Sequence, residues 1–575
     1  MNFPTKIAEV EQLISIKMNR KRISSLLSVF LFVTVVFADS NEKGIDYYRA
    51  GLYDAAKIFF TSQSGQSAKD QAENYYYLGL MAYDTGDANQ AALYFDKSVE
   101  ADPTYPFGLI GQGKIALAKN ETKGATDLFK KAANLAKKNA SVQTGIADVY
   151  FEAGKNELGM EALGKARDIN KKYPGIYMVE GDVLAKEGKV GEAAARYENA
   201  VVFDPNDKIA LLKLARVYKR VNRDLSLNYL DRLIAIDPNY IPAYAEIGDI
   251  NYSTGYYGKA IDAYEKFISI PGVPVKQKSN YAELLYFTDQ HEKSLQLIDE
   301  VLKMTQDNLV MHRIQAYNNF KLKNYDLALQ QSLNYLSKMP EDEHIYLDYI
   351  NLAQIYIELK QFAESIPVFL KALAKDETKG ADIYRQLTTA YEGVKDYNKA
   401  LDAYEKYFDL AENVPALQYF YYGRSAYSGA SIYMEKIINT TDPAQGAIYM
   451  DSLNYFTTKG DRGFSQVIER LPENHMGYLW IANLYSILDS VEHSKTGTIP
   501  GKAKPHFEKA IEIMLADNEG GRRNKDIISG YDYIIQYFFV QNDLTTVAEY
   551  GKKILELDPE NARAKEILDA LKVKY

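Results

Sequence analysis

The chain has 575 residues, a formal net charge of −9 and no cysteine. The missing cysteines exclude disulfide bonds, thiol chemistry and cysteine metal sites, and an acidic chain with interspersed charges lacks the electrostatic footprint for binding nucleic acid. A hydrophobic content of 47% also excludes global disorder.

The first feature in chain order is a basic cluster at residues 20–22, followed by an apolar run over residues 26–37. The run ends at Ala38 in the small-residue pattern that precedes a signal-peptidase cleavage site. Residues 1–38 therefore resemble a secretory signal peptide, for which Met18 is an alternative start. The competing interpretation is an uncleaved anchor, but a run of about 12 residues is short for a bilayer span of about 20.

This segment predicts an exported protein of the periplasm or of the periplasmic side of the outer membrane. A lipoprotein is excluded because the chain has no cysteine for lipid attachment. We expect no integral membrane segment after signal cleavage, since no later stretch is long and apolar enough. The Asn-, Lys- and Tyr-rich composition suggests a Bacteroidetes-like source.

From residue 39 the chain repeats one pattern with a period of about 34 residues. The copy that begins at Ala72 carries Gly79, Ala82, Gly86, Ala91, Phe95, Ser98 and Pro103. The copy that begins at Pro174 carries Gly181, Leu184, Gly188, Ala193, Tyr197, Ala200 and Pro205 at the same offsets. Each copy has two stretches of helical spacing around a polar or glycine turn and ends before a proline, which predicts a helix–turn–helix unit.

Small residues in the first helix, Ala-x-x-x-Phe/Tyr-x-x-Ala in the second and the closing proline together resemble the tetratricopeptide repeat (TPR). About 14 copies can be followed along the chain. The resemblance implies an all-α fold, a right-handed α-solenoid superhelix of helix–turn–helix repeats. A polar helix within Glu560–Lys572 is expected to cap the C-terminal end.

The regularity of the copies divides the array into three predicted segments. Residues 39–270 form the N-terminal repeats, 271–411 the partly degenerate central repeats and 412–575 the C-terminal repeats with two insertions. These insertions, Ser428–Gly463 and Ser494–Gly501, are expected to form loops on one face of the solenoid, where repeat proteins often meet a partner. A tolerated surface loop is the alternative for each.

The resemblance also implies that the first helix of each repeat lines the concave wall. The residues expected on that wall, as a protein- or peptide-binding surface, are Tyr76, Tyr83, Asp148, Phe151, Asp182, Asp249, Tyr252, Glu283, Tyr286, Phe320 and Tyr427. Aromatic side chains bury a large area at little entropy cost, and the acidic stripe favours basic or extended peptides. Alternatively, the aromatic residues pack between repeats. The alternative for the acidic stripe is an ordinary solvated face.

Catalytic and cofactor motifs are not supported by the sequence. The six histidines are scattered, and none forms a His-Glu-x-x-His zinc motif. Gly111–Ala116 matches a dinucleotide fingerprint, but its small residues coincide with repeat positions in a helix rather than with a strand–helix turn. Gly497–Ala503 resembles a phosphate-binding loop but is one residue short and is predicted to be a turn. The sequence therefore predicts no enzyme, no cofactor and no metal.

Three functional hypotheses follow. The first is a non-enzymatic envelope scaffold that binds partner proteins or extended peptides along the concave groove. The second is a constitutive accessory subunit of an outer-membrane or secretion assembly, held through the 428–463 insertion. The third is an enzyme or a glycan-binding protein that uses exposed tyrosines as stacking platforms. The sequence identifies neither the partner nor the oligomeric state.

Overall fold

A computed structural model describes residues 41–63 and 66–575. Within those ranges the chain forms 29 α-helices, three short 3-10 turns and no β-strand. The predicted signal segment, residues 1–38, lies outside the described residues.

The first sixteen helices form eight consecutive pairs, which we number as repeats 1 to 8. They are α1 Glu42–Arg49, α2 Tyr53–Ser62, α3 Ala68–Asp84, α4 Ala88–Ala101, α5 Pro106–Ala118, α6 Thr122–Leu135, α7 Ala140–Glu152, α8 Asn156–Ile169, α9 Pro174–Lys186, α10 Val190–Phe203, α11 Lys208–Tyr218, α12 Arg223–Ile236, α13 Ile241–Ser253, α14 Tyr257–Ile268, α15 Val275–Phe287 and α16 His291–Met304.

Six further pairs, repeats 9 to 14, and one single helix follow. They are α17 Leu309–Lys321, α18 Tyr325–Lys338, α19 Tyr346–Glu358, α20 Phe362–Lys375, α21 Gly380–Gly393, α22 Tyr397–Leu410, α23 Ala416–Asn439, α24 Pro443–Arg470, α25 His475–Thr496, α26 Lys504–Ala516, α27 Asn524–Val540, α28 Leu544–Leu557 and α29 Ala562–Ala570. The described residues thus confirm an all-α solenoid of helix pairs, and α29 lies where the capping helix was predicted.

The repeats group into two compact units. The N-terminal unit ends at Met311, and the C-terminal unit begins at His312, near the start of α17. The division into three segments at residues 270 and 411 stays a prediction.

The ends of the helices follow from local side-chain chemistry. The carboxylate of Asp87 accepts a hydrogen bond from the backbone N–H of Gln90 at the start of α4, and Asp207 accepts two such bonds at the start of α11. These bonds satisfy N–H groups that the first turn of a helix leaves free. Pro106 begins α5, where its missing N–H costs nothing.

A left-handed residue joins the two helices of most repeats. Glycine takes this position in several repeats, as at Gly86 with φ 89° and Gly188 with φ 80°. Other repeats place a lysine there, as at Lys323 with φ 63° and Lys360 with φ 59°. A β-carbon is strained in this conformation by about 1 kcal/mol, so the lysine turns carry a cost that glycine avoids.

Replacing Lys360 with glycine is therefore expected to stabilise the C-terminal unit by about 1 kcal/mol. The matched control is Lys371→Gly inside α20, which should destabilise it by about 1 kcal/mol because glycine lowers helix propensity. Urea unfolding followed by circular dichroism measures both. Equal destabilisation by the two variants would contradict this account of the turn.

The two helices of a repeat pack an aromatic ring against a bare backbone. A β-carbon built on Gly79 would lie 2.5 Å from the Phe95 ring, and one on Gly181 would lie 2.4 Å from the Tyr197 ring. Phe95 is fully buried, so neither ring has room to withdraw without opening a void. The small residue of the first helix thus makes room for the aromatic ring of the second.

The 428–463 insertion is largely helical, so the prediction of a surface loop there was wrong, whereas residues 497–501 of the second insertion form a turn, as expected. The 428–463 segment lies inside α23 and α24, which have 24 and 28 residues against 14 in each helix of the preceding pair. The 494–501 segment ends α25, a helix of 22 residues, and continues as a turn after the left-handed Gly497. Ile437, Phe456 and Val491 are buried in one cluster, so the extra turns form a packed three-helix projection.

The first helices of successive repeats lie on the inner side of the curve. Helix α3 contacts α5, α5 contacts α7 and α7 contacts α9, whereas contacts between successive second helices are sparse. When the first helices of successive repeats lie closer together than the second helices do, the stack curves so that the first helices are on its inner side. The inner surface of each unit is therefore made by the odd-numbered helices up to α27.

Candidate functional site

Two carboxylates of the predicted acidic stripe accept hydrogen bonds within the chain. Asp182 accepts from the Tyr197 hydroxyl at 2.7 Å and from Lys213 Nζ at 2.5 Å. Asp249 accepts from the Tyr264 hydroxyl at 2.6 Å and from Lys219 Nζ at 3.4 Å. These carboxylates therefore have partners of their own and offer little unpaired negative charge to a basic peptide.

These bonds follow a pattern that the sequence contains. In repeats 5 and 7 the residue after the small residue of the first helix is aspartate, and the aromatic of the second helix is tyrosine rather than phenylalanine. Repeat 4 has Asp148 at this position, but its second helix carries Leu163, which has no hydroxyl to donate. Burial and the negative charges of Glu152 and Asp182 raise the pKa of Asp148 to about 7.

The other predicted residues of the N-terminal unit are half-buried and contact neighbouring helices. Tyr83 lies under Lys114, whose ammonium is 4.5 Å from the ring centroid, and Phe151 packs on Gly159. The Tyr252 hydroxyl donates a hydrogen bond to Glu283, one repeat further along. Tyr286 lies against Phe287 and His291.

Tyr76 is part of the core, so its assignment to a binding surface was wrong. Its side chain is 9% exposed and lies among the rings of Phe95, Tyr105 and Phe107. An aromatic at helical spacing can face either the groove or the next repeat. Here Phe95 of its own repeat and Tyr105 and Phe107 at the start of the next repeat cover it.

Cations on the inner surface of the N-terminal unit are paired as well. Lys114 contacts Glu152 at 2.5 Å, and Arg216 and Lys219 contact Glu246 at 2.6 and 3.0 Å. Burial alone would raise the pKa of Glu246, but the two cations outweigh it and hold that pKa below its usual value. The inner surface of this unit is largely neutralised by its own side chains.

Repeat 1 closes the N-terminal unit by contacting repeats 6 and 7. Lys208 Nζ lies 2.6 Å from Asp46 and 2.9 Å from Glu42, and Arg216 donates to the carbonyl oxygen of Ala50 at 2.8 Å. A β-carbon built on Gly272, which follows repeat 7, would lie 2.5 Å from the backbone nitrogen of Ala55. Helix α1 thus lies against inner helices that are more than 150 residues away in sequence.

A buried polar hub in the C-terminal unit was missed by sequence reasoning. Asp348 is fully buried and accepts bonds from Arg313 at 2.9 Å, Tyr317 at 2.6 Å and Tyr335 at 2.8 Å. Burial and the neighbouring Tyr335 and Asp348 raise the pKa of Tyr317, so its hydroxyl stays a donor. Arg313 on α17 is therefore a structural residue.

Elsewhere on the inner surface of the C-terminal unit, fewer charged side chains have a partner of opposite charge. Arg424 on α23 is exposed and has no ion-pair partner among the described residues, and its guanidinium lies 5.2 Å from the Tyr421 ring. Arg385 on α21 is 45% exposed and has only Asp382, one turn earlier and 3.9 Å away. Two inner helices of this unit therefore present guanidinium groups to solvent.

An aromatic cluster adjoins Arg424. Trp480 on α25 makes edge contacts with Phe420 at 5.6 Å and with Tyr427 at 5.3 Å between ring centroids. All three rings are partly exposed. We call Arg385, Arg424, Phe420, Tyr427 and Trp480 the C-terminal inner patch. Of the predicted residues it contains Tyr427, whereas Phe320 lies apart beside Tyr325.

Glu392 on α21 is a carboxylate close enough to Arg424 to interact with its charge. Burial raises its pKa, against hydrogen bonding from Tyr404 and the charge of Arg424. The Tyr404 hydroxyl donates to it at 3.3 Å. Glu392 is thus partly satisfied by a hydrogen bond from its own repeat. The N–H groups of the Arg424 guanidinium stay free to donate to a ligand.

The two sequence motifs that resemble nucleotide-binding sites serve helix packing and a turn. Gly111 and Gly113 lie within α5, where β-carbons would come within 2.1 and 2.2 Å of the Phe95 and Phe129 rings. The 497–503 segment is the turn between α25 and α26, and its last N–H groups donate to Asp489. Among the described residues no group of histidine and carboxylate side chains is arranged to bind a metal. Within the same residues no helix combines the length and apolar character needed to cross a membrane.

Models of known families match three parts of the chain. Models described as tetratricopeptide repeat match residues 41–106, 241–272 and 349–377. The TPR repeat-containing protein MJ1428 of Methanocaldococcus jannaschii is 23% identical over 386 residues, covering 65% of this chain and 63% of that protein. Anaphase-promoting complex subunit 3 of Schizosaccharomyces pombe is 23% identical over 163 residues, covering 28% of this chain and 24% of that protein. The chain therefore spans less than two thirds of either relative.

Solved structures of similar chains include two from bacteria named in their descriptions. The C-terminal part of a TPR repeat-containing protein from Cytophaga hutchinsonii is 22% identical, covers 50% of this chain and 99% of that chain, and has a TM-score of 0.38. A tetratricopeptide repeat protein from Parabacteroides merdae is 15% identical, covers 50% and 99%, and has a TM-score of 0.24. The family models and the Methanocaldococcus relative agree on the type of repeat.

Proposed function

Because this chain is built from tetratricopeptide repeats, which mediate protein–protein interaction, we propose that it is a non-enzymatic scaffold of the bacterial cell envelope. In this proposal it binds a partner protein, through an extended segment of that partner, along the inner surface of its C-terminal unit. The site is the C-terminal inner patch.

The observation that carries the proposal is the contrast between the two inner surfaces. In the N-terminal unit Lys114, Lys213 and Lys219 each contact a carboxylate of another helix. In the C-terminal unit Arg424 has no such partner among the described residues. An exposed guanidinium next to an aromatic cluster combines the residue types that dominate binding energy at protein interfaces.

The geometry favours an extended segment rather than a globular surface. Arg385 and Arg424 lie on the first helices of repeats 11 and 12, and Trp480 on the first helix of repeat 13. A ligand that reaches all three must run across successive inner helices. Its side chains would pair with guanidinium groups at one end and cover the aromatic rings at the other.

Reversing the charge at Arg424 is expected to abolish partner capture. In the native host, the Arg424→Glu variant should lose, by at least tenfold, a protein that co-purifies with the wild type. The loss follows because the variant removes the free donors and adds a carboxylate beside Glu392. Quantitative mass spectrometry of the purified complexes measures the change.

The matched control is Arg232→Glu on α12, a second helix of the N-terminal unit. Arg232 also lies beside a tyrosine, 5.7 Å from the Tyr229 ring. This variant makes the same charge change away from the inner surface and should retain the partner. Equal retention by both variants would count against the C-terminal inner patch.

The envelope location is supported by the amino-acid sequence of residues 18–38 and by the absence of cysteine. In this proposal the partners include outer-membrane or secretion components. Fractionation of spheroplasts from the native host tests the location. Recovery of the protein in the periplasmic or outer-membrane fraction supports it, and recovery with cytoplasmic markers contradicts it.

A second candidate function is that of a permanent subunit of such an assembly. The three-helix projection of α23, α24 and α25 favours it, since Ile438 and Ile448 near its end are 49% and 59% exposed. Apolar side chains on a rigid projection fit a lasting contact better than a transient one. Replacing both isoleucines with serine would then release the protein from its complex, whereas the scaffold proposal expects partner capture to persist.

A further inference from the structure

Helix α1 is held on the inner surface of repeats 6 and 7 by salt bridges from two of its carboxylates to a lysine. Glu42 and Asp46 lie one turn apart on α1, and both reach Lys208 Nζ, at 2.9 and 2.6 Å. The carbonyl oxygen of Ala50, at the end of the same helix, accepts from Arg216 at 2.8 Å. Lys208 also lies 5.2 Å from the Tyr240 ring. We call Lys208, Arg216 and Tyr240 the cationic seat.

Burial disfavours the charge on both sides of this contact, and only for Lys208 do the partners outweigh it. Burial alone would lower the pKa of Lys208, but hydrogen bonds and charge from Asp46 and Glu42 outweigh it, and the pKa is raised. Burial also raises the pKa of Asp46. Lys208 is 17% exposed and Asp46 12% exposed, so the pair is shielded from solvent and is screened less by salt than a surface pair.

The contact nevertheless buries polar groups at a cost in free energy. The hydroxyl group of Tyr240, whose ring lies beside Lys208, is buried with no hydrogen-bond partner among the described residues, as is that of Tyr47 on α1. An unsatisfied buried hydroxyl costs roughly 1–3 kcal/mol of folding free energy. The attraction within a shielded ion pair does little more than offset the cost of removing its two charges from water. Joints such as the one at Ala91 and Phe95 are fully buried and apolar. The seam between α1 and repeats 6 and 7 is thus a polar joint, unlike the apolar one at Phe95.

Repeat 1 has a separate attachment to repeat 2. Asn41 donates to the carbonyl oxygen of Asp70 at 2.9 Å, and the Phe60 ring stacks on Tyr77 at 5.8 Å. Tyr48 donates to Asp84 at 2.9 Å. These contacts are independent of the cationic seat, so repeat 1 can leave the seat and remain joined to the array.

We propose that the cationic seat is a second protein-binding surface, which takes an acidic helix of a partner, and that α1 occupies it as an internal competitor. The partner helix carries two carboxylates one turn apart, as Glu42 and Asp46 are on α1. Its last carbonyl groups receive the Arg216 guanidinium. This surface is separate from the C-terminal inner patch, and its test does not depend on that patch.

The absence of cysteine allows the seam to be measured directly. Cysteines introduced at the exposed positions Lys43 and Asn239 carry nitroxide labels on α1 and next to Tyr240. Double electron–electron resonance on the full chain should give one narrow, short distance. Lys208→Met should add a longer distance, and Lys208→Arg should restore the short one. The matched control Lys213→Met, whose lysine pairs with Asp182 away from α1, should leave the distance unchanged.

Binding is tested with an acetylated and amidated peptide of residues 41–52 and with its E42Q/D46N counterpart. The acidic peptide should bind the full-chain Glu42→Gln/Asp46→Asn variant at least tenfold more tightly than it binds the wild type, because α1 then competes poorly. The amide peptide should bind neither, and Lys208→Met should abolish binding. Equal binding of both peptides, binding that survives Lys208→Met, or a distance unchanged by Lys208→Met would each overturn the proposal.

Discussion

Replacing Asp348 with alanine is expected to destabilise the C-terminal unit by about 3–5 kcal/mol, the cost of removing one partner of a buried ion pair. The carboxylate is fully buried and accepts from Arg313, Tyr317 and Tyr335. Its loss leaves a buried guanidinium without its counter-charge and takes an acceptor from two tyrosines.

Urea unfolding by circular dichroism and hydrogen exchange over α17–α20 measure this effect. Each repeat contacts mainly its neighbours, so exchange should accelerate most in repeats 9 and 10. The control is Asp382→Asn, because Asp382 is 68% exposed and 3.9 Å from Arg385. An exposed pair of this kind contributes about 0–1 kcal/mol. A similar loss in both variants would show that the Asp348 hub is not what stabilises these repeats.

Replacing Asp148 with asparagine is expected to stabilise the N-terminal unit at pH 8 by about 1–3 kcal/mol, allowing for partial exposure of the group. Burial, with Glu152 and Asp182, raises the pKa of Asp148 to about 7, against the opposing charges of Lys114 and Lys213. The folded state therefore holds this proton more tightly than the unfolded state, whose pKa is about 3.9. The stability that the protonated Asp148 contributes is therefore fully present below about pH 4 and is lost as the pH rises through about 7.

Thermal unfolding of the Asp148→Asn variant at pH 8 and pH 5 tests the sign. The variant should unfold at a higher temperature than the wild type at pH 8, and most of this advantage should disappear at pH 5. Asp249→Asn is the matched control, because Asp249 accepts from Tyr264 and its replacement weakens that bond. The control should be destabilised by about 1 kcal/mol. Destabilisation of Asp148→Asn at pH 8 would mean that its carboxylate is paired in the fold.

The repeat register could be predicted from sequence because it depends on local sterics. Gly79 and Gly181 admit an aromatic ring from the second helix, and this requirement recurs at a fixed offset. Helix ends at Asp87 and Pro106 follow from the first turn alone. Pairs of helices and the capping helix α29 were therefore readable without any long-range information.

The lengths of α23, α24 and α25 could not be read from the same register. Extra residues between repeat positions are compatible with a loop or with longer helices. The choice depends on whether Ile437, Phe456 and Val491 find one another. That is a contact between three helices, and no period in the sequence encodes it.

The candidate site was only partly predictable for a related reason. Sequence places Asp182 and Tyr427 on the inner helices but does not say which charges face each other across repeats. The contact of Asp46 with Lys208 joins residues 162 positions apart and exists only because the array curves back on itself. The exception is the tyrosine–aspartate pair of repeats 5 and 7, whose coupled identities in the printed sequence could have predicted the hydrogen bond.

We expect the inner surface of the C-terminal unit to bind the partner. A photo-reactive phenylalanine analogue at Tyr427, incorporated in the native host, tests it most directly, with the same analogue at the exposed outer Phe203 as reference. Tyr427 should crosslink one specific protein, and Arg424→Glu should remove this crosslink. Crosslinks of equal yield at Phe203 and Tyr427, or a Tyr427 crosslink unaffected by Arg424→Glu, would contradict it.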